Sequence, residues 1–307
     1  MSFEIELINE KIIKIKDDQT ILAASLEADI PHYHACGGKA RCSTCRVVVQ
    51  EGGEYLSLPN KAELKLRSEK KFPENVRLAC QTKVIGKYVK MQRIIKDETD
   101  LNLYVYGSDC GNIQTVGDEK AMALFFLDIR NFTPFIEQHL PFDVIHIIRR
   151  LNIMFNDAIV EHKGKIIEYA GDGFYAVFGF DEPINEAVNN AYTAGKQILE
   201  SLAGLNENYI IKYFDHKIDI GIGLHSGKVI VGKTGVKEYH PYTVMGFPVN
   251  VAARLEAATK ELNNDFIISD YAYKFLNQTN NAQQKQIKLK GITEPFQVRL
   301  IGRSYNY

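Results

Sequence analysis

No stretch of this 307-residue sequence approaches the roughly 18–20 consecutive apolar residues that cross a bilayer, which argues against a helical membrane protein. The opening residues, MSFEIELINEK, lack the basic-then-apolar order of a secretory signal, so the expected location is the cytoplasm. Net charge is scarce. The 37 Lys+Arg against 38 Asp+Glu leave -1, far from the basic excess on which general nucleic-acid and membrane-surface binders rely. Neither a nucleic-acid polymer nor a membrane is therefore an expected partner. Repeats and low-complexity tracts are missing. Cysteine is sparse at five residues, and an odd count cannot close into a full disulfide framework.

What is present points to two modules. At roughly 100–200 residues per domain, the length accommodates two cores. Four of the five cysteines, Cys36, Cys42, Cys45 and Cys80, fall in the first 80 residues, and Cys110 stands apart. Clustered thiols in a reducing compartment suit metal binding better than disulfides. Residues 1–95 hold 16 Lys+Arg and 12 Asp+Glu, so they carry +4 and the remainder carries -5.

Hydrophobic periodicity locates the elements. FEIELINEKIIKI alternates around Asn9-Glu10 and predicts a hairpin. Thr20 is a fitting N-cap for a helix over ILAASLEADI, and RVVVQEGG and RLACQTKVIGKYVKM read as strands. Residues 96–117 lack sustained periodicity and read as a linker. Beyond it, MALFFLDI predicts a buried strand, followed by a helix with Val144, Ile148, Leu151, Phe155 and Ile159 on one face. KIIEYAGDGFYAVFG predicts a hairpin turning at Gly171-Asp172-Gly173, and EAVNNAYTAGKQILESL predicts a second helix. KIDIGIGLHSGKVIVG reads as a strand pair, VNVAARLEAAT as a short helix, DFIISDYAYKFL as a strand leading into a helix, and QIKLKG with EPFQVRLI as a closing hairpin. The order is that of an α+β chain, with a first module over 1–95, a linker over 96–117 and a second module over 118–307.

The cysteine spacing is Cys36-x5-Cys42-x2-Cys45, with Cys80 following after 34 intervening residues. Four thiolates satisfy either zinc or a 2Fe-2S cluster, so the count alone leaves both open. Structural zinc sites usually draw on two close pairs. A loop of three thiols with small residues between them, Gly37, Gly38, Ala40, Ser43 and Thr44, better wraps a flat diiron cluster and brings N–H groups to its sulfides. CGGKARCSTCRVVV with LACQ resembles the adrenodoxin-type 2Fe-2S ferredoxins, and the resemblance implies a β-grasp fold with Cys36, Cys42, Cys45 and Cys80 as cluster ligands. Electron shuttles of that family commonly present an acidic face, so a +4 module is an unusual dedicated carrier. Cys110 lies outside the motif, either an ordinary thiol or a secondary redox switch.

Two carboxylates at predicted strand ends, Asp128 and Asp172, suit a pair of divalent cations in phosphoryl transfer. LFFLDIRNFTPF, EYAGDGFYAVFG, GIGLHSGKVIVGKTG, YTVMGFPVNVAARLEAAT and LKGITEPFQVRLIG resemble, in order and spacing, the catalytic domain of class III adenylate and guanylate cyclases, whose core is βαββαβ. The resemblance implies two Mg²⁺ or Mn²⁺ ions held by Asp128, Asp172 and Ile129, with the backbone at Ile129, Phe132 and Thr133 facing substrate phosphates. It further implies that Asn250 orients the ribose, that Arg254 stabilises charge on the pentavalent phosphorus, and that Lys290 grips the β- and γ-phosphates, with Lys288 a nearby competitor. In that family one site draws its metal aspartates and its Asn/Arg pair from different subunits, so a homodimer with two shared sites is expected.

Base choice falls to Glu168, where adenylate cyclases usually carry lysine, and to Thr243. Guanine presents N1–H and N2–H donors that a carboxylate accepts, whereas adenine N1 is itself an acceptor. GTP is therefore slightly favoured, with ATP close behind. Phe247-Pro248 departs from the family's usual Asp-Thr. The overall expectation is a redox-regulated nucleotidyl cyclase with a possible redox partner. The alternative is a 2Fe-2S electron-transfer protein whose cyclase-like domain binds nucleotide and is catalytically idle.

Overall fold

A computed structural model describes residues 2–95, 118–233, 242–277 and 282–305. The predicted linker and Cys110 lie outside the described residues. The chain divides into two compact units, each with its own sheet and core.

The first unit is a five-stranded sheet crossed by helices. Strands β1 (Ser2–Leu7) and β2 (Lys11–Lys16) form the expected antiparallel hairpin, with Asn9 in the left-handed conformation at the turn. Helix α1 (Ile21–Glu27) starts where Thr20 accepts the Ala23 N–H. Strand β3 (Arg46–Glu51) follows the cysteine loop. Helix α2 (Lys61–Lys70) has no counterpart in the sequence reading, because its residues KAELKLRSEK carry almost no apolar stripe. It is held instead by a cap from Asn60 and by Glu63, which is fully buried. The Glu63 carboxylate accepts from Arg77 Nε at 2.9 Å, Arg77 Nη2 at 3.0 Å and the Leu78 N–H at 2.9 Å. Strand β4 (Val76–Leu78) is thereby clamped, and it leads directly to Cys80. The stretch 77–91, expected as one strand, breaks at a turn holding Cys80 before resuming as β5 (Tyr88–Arg93). The strand order is β2-β1-β5-β3-β4, with β1 and β5 parallel and the other pairs antiparallel.

The second unit begins with β6 (Asp118–Arg130), followed by α3 (Phe132–Gln138) and α4 (Pro141–Glu161). Strands β7 (Lys165–Ala170) and β8 (Gly173–Phe178) form the expected hairpin, and α5 (Ile184–Leu205) comes next. Strand β9 (Asp219–Lys233) corrects the expected strand pair. Asp118–Arg130 of β6 pairs without interruption with residues 219–231, so KIDIGIGLHSGKVIVG forms one strand rather than two. Pairing along the whole length of β6 holds the segment as one continuous strand. Short strand β10 (Tyr242–Met245) leads into α6 (Phe247–Glu261), and β11 (Phe266–Ser269), β12 (Gln283–Ile287) and β13 (Phe296–Leu300) complete the sheet. Its order is β12-β13-β11-β9-β6-β8-β7, with β10 paired to β9.

Both faces of the sheet are covered, which explains the unbroken apolar run in β6. Ala123, Phe125 and Leu127 pack with Val144, Leu151 and Phe155 of α4 and Ala191 and Ile198 of α5. The alternate residues Met122 and Leu124 pack on the opposite face with Val229, Val244 and Ala252. Helix α6 lies close on β9 at Gly223, where an added Cβ would fall 2.6 Å from the Ala252 carbonyl oxygen. No helix among the described residues is long and apolar enough to cross a membrane.

Candidate functional site

The cysteine loop bends through three left-handed residues, Gly37 (φ 64°), Gly38 (φ 79°) and Ala40 (φ 50°). The four thiols meet as two pairs. Cys36 stands beside Cys42, and Cys45 beside Cys80, each within hydrogen-bonding reach. Burial opposes ionisation of Cys36, but N–H groups of Arg41, Cys42 and Lys39, with the Cys42 thiol, outweigh it and draw its pKa below the ordinary thiol value. Cys80 is lowered to about 6, first by the Cys45 thiol and further by the Gln81 amide and the Ala40 N–H. Gln81 Nε2 stands 3.3 Å from Cys80 Sγ and donates to the Gly38 carbonyl at 2.8 Å. Thr44 Oγ1 accepts the Ala35 N–H at 2.9 Å and lies 3.1 Å from Cys42 Sγ. The Cys45 and Cys80 pair is buried, while Cys36 and Cys42 reach toward solvent.

In the second unit, Leu127 of β6 pairs with Phe174 of β8, so Asp128 stands beside Gly173 and the hairpin tip that carries Asp172. The approach is close. A Cβ on Gly173 would fall 2.6 Å from the Leu127 carbonyl oxygen and 2.8 Å from Asp128 Oδ1, while Gly171 turns the tip with φ 64°. Burial first, and the Asp172 carboxylate second, push the Asp128 pKa up; Arg130 opposes them. The side chains of Ile129 and Phe132 are buried, Thr133 is exposed, and left-handed Asn131 (φ 50°) turns the chain into α3. Glu168 is exposed on β7, Thr243 is half-buried on β10, and β10 touches β7. Lys290 and Lys288 are exposed in the loop between β12 and β13.

Asn250 and Arg254 are exposed on one side of α6, while Glu256 is turned inward to Arg130. At about 100° per residue, Glu256 lies roughly 200° around the helix from Arg254. Within one chain, therefore, the Asn/Arg side of α6 faces away from Glu256, which meets Arg130, the residue bonded to Asp128.

Residues 91–302 match the model of the adenylate and guanylate cyclase catalytic domain, more than half of the chain. The chain belongs to the adenylate and guanylate cyclase family. Residues 6–84 of the same chain match the 2Fe-2S iron-sulfur cluster binding domain. An uncharacterized protein of Mycobacterium tuberculosis (strain H37Rv) is 28% identical over 182 residues, which are 58% of this chain and 32% of that protein. The chain thus spans about a third of the length of the curated relatives it matches. In fold it is similar to the adenylyl cyclase CyaB from P. aeruginosa (TM-score 0.56, 23% identity, 61% of this chain and 96% of that one). It is equally similar to the guanylyl cyclase Cya2 (TM-score 0.56, 23% identity, 62% of this chain and 95% of that one).

The donor sets suit the groups that the two matched domains imply. No three His, Cys, Asp or Glu side chains among the described residues are grouped to hold a single ion. Thiols gathered two and two instead fit a cluster with two irons, and the N–H groups aimed at Cys36 and Cys80 would stabilise thiolates. Asp128 and Asp172 repel one another at a partly open strand end, which fits divalent cations that would neutralise both. The sequence reading missed Arg130 and Glu256. Burial holds the Glu256 pKa up at about 7 against the pull of Arg130, with Asp128 and Asp172 raising it further. Nothing in DIR or RLEA signals that these two side chains meet across 126 residues of chain.

Proposed function

We propose that this chain is a nucleotidyl cyclase, working as a head-to-tail homodimer with two shared sites and converting a nucleoside triphosphate to a 3′,5′-cyclic nucleotide and pyrophosphate. GTP is slightly favoured over ATP. The observation that carries the reading is the pairing of Asp128 with the Asp172 hairpin tip in a chain of this family. Two bound Mg²⁺ or Mn²⁺ ions would supply Lewis-acid activation of the ribose 3′-hydroxyl and charge neutralisation on the triphosphate.

The chain's own residues do the rest. Asp128 and Asp172, with the main chain at Ile129, would hold the ions. Backbone N–H groups from Ile129 to Thr133 and the Lys290 ammonium face the phosphates. Asn250 orients the ribose for attack on the α-phosphorus, and Arg254 meets the charge that grows on its oxygens. Glu168 accepts the N1–H and N2–H donors of guanine, and Thr243 adds a hydroxyl able to donate or accept. The outward aspect of Asn250 and Arg254 supports a site completed by a second copy.

A cluster held by Cys36, Cys42, Cys45 and Cys80 would supply a one-electron redox change, and its state governs cyclase output. The motive for this reading is a complete thiol set on the same chain as the catalytic set. Anaerobically purified protein assayed with Mn-GTP and Mn-ATP, in air-oxidised and dithionite-reduced forms with the products identified, tests base and coupling together. Equal turnover in both redox states would sink the regulatory claim. Mixing Asp128→Ala with Arg254→Ala chains, each inactive alone, should restore one working site.

A further inference from the structure

Arg130 lies two residues beyond Asp128 on the same face of β6, with a side chain only 9% exposed. Its Nη1 donates to Asp128 Oδ2 at 3.3 Å. Its Nη2 donates to the main-chain oxygen of Glu256 at 2.8 Å, and also meets the Glu256 carboxylate and Thr259 Oγ1. Its Nε lies 3.5 Å from the Tyr305 hydroxyl, which donates to the Ile220 carbonyl at 3.0 Å. The guanidinium rests over Gly221, the register partner of Asp128, where any Cβ would overlap it. One buried cation therefore joins the end of β6 to the inner side of α6.

The outer side of α6 carries Asn250 and Arg254, and in the shared-site dimer proposed above that side serves the partner's nucleotide. One helix then has two duties. Its inner side is fastened, through Glu256 and Arg130, to the metal aspartate of its own chain. Its outer side presents the ribose- and phosphate-binding pair to the other site. Packed elements of this kind shift as units, because the Gly223 contact leaves α6 no slack against β9. We infer that Arg130 and Glu256 are positioning residues that couple the two active sites of the dimer: seating Asp128 in one site sets the placement of Asn250 and Arg254 in the other. The inference rests on the shared-site reading.

Mixed dimers separate the two effects. One full-length chain carries Asp172→Ala, which disables its own metal site but leaves its Asp128–Arg130–Glu256 link in place, and donates Asn250 and Arg254; the other carries Arg254→Ala and donates the metal aspartates, so a single working site remains. Glu256→Gln, nearly isosteric, is then placed in either chain. In the chain that donates Arg254 it should lower kcat roughly 10-fold and leave Mn²⁺ affinity unchanged. In the chain that donates Asp128 it should weaken Mn²⁺ binding roughly 10-fold, read without nucleotide from the electron paramagnetic resonance of free Mn²⁺. Both fall within the ~5–150-fold range of ordinary coupling between sites. Arg130→Lys in place of Glu256→Gln should give smaller changes of the same pattern. A mixed dimer that is inactive before Glu256→Gln is added overturns the shared-site reading itself. An active mixed dimer that responds identically, or not at all, to the two placements overturns the coupling alone.

Discussion

Gly173→Ala tests the geometry on which the catalytic reading stands. Gly173 has no left-handed φ, so alanine is acceptable to its own backbone, and the cost arises from its neighbours. The new methyl would lie 2.6 Å from the Leu127 carbonyl oxygen and 2.8 Å from Asp128 Oδ1. Ordinary contact begins near 3.4 Å, so the hairpin and β6 must part by about 0.6–0.8 Å. The Leu127 oxygen belongs to a strand paired on both sides and yields little. Overpacking of this kind costs about 1–3 kcal/mol of stability. A misplacement approaching 1 Å at a reacting centre costs up to ~100-fold in rate. Gly173→Ala should therefore fold, with a urea midpoint lowered in proportion, and lose roughly 10- to 100-fold in kcat. Gly171→Asn is the control: asparagine tolerates the φ of 64°, a Cβ there meets nothing within 4 Å, and turnover should stay within about twofold of wild type. A Gly173→Ala protein with wild-type kcat would refute the claim that Asp128 and the Asp172 tip act together.

Three further outcomes are expected. Glu168→Lys should move the product ratio from cyclic GMP toward cyclic AMP by roughly 10- to 100-fold, since unpaired polar groups at a base edge reject the wrong purine; chromatography of the products checks it. His225 is buried and bonded to Ser269 at 2.7 Å, and burial depresses its pKa from 6.5 to about 4. A depressed folded-state pKa contributes stability that is present above pH 6.5 and is lost as the pH falls toward 4, about 3 kcal/mol for a shift of that size. His225→Gln should flatten that part of the urea-stability profile, and an unchanged slope would reject the assignment. Glu63→Gln leaves the Arg77 guanidinium, with 7% of its side chain exposed, buried beside a neutral partner. Breaking such a pair costs about 3–5 kcal/mol, and the first unit should melt earlier by calorimetry.

Much of the fold was legible because burial imposes periodicity. The β1–β2 hairpin, the Thr20 cap, the α4 stripe and the Gly171–Gly173 turn each rest on residues within one turn or one strand of each other. Helix α2 was invisible because its anchor is a buried ion pair rather than an apolar face. The merging of two expected strands into β9 was equally hidden, since a register with β6 that runs through Ser226-Gly227 exists only once both strands are in place.

The sequence by itself determined the chemistry on offer: three thiols in one short loop and a fourth further along the chain, two carboxylates at strand ends, and an Asn/Arg pair one helical turn apart. Those are properties of residue type and short spacing. Only the tertiary structure decided that Gly173 must be bare for Asp128 to meet the hairpin tip, that the thiols gather two and two, and that Arg130 fastens Asp128 to α6. Each of these depends on which atoms of distant segments come within a few ångströms, and local periodicity carries no record of that distance.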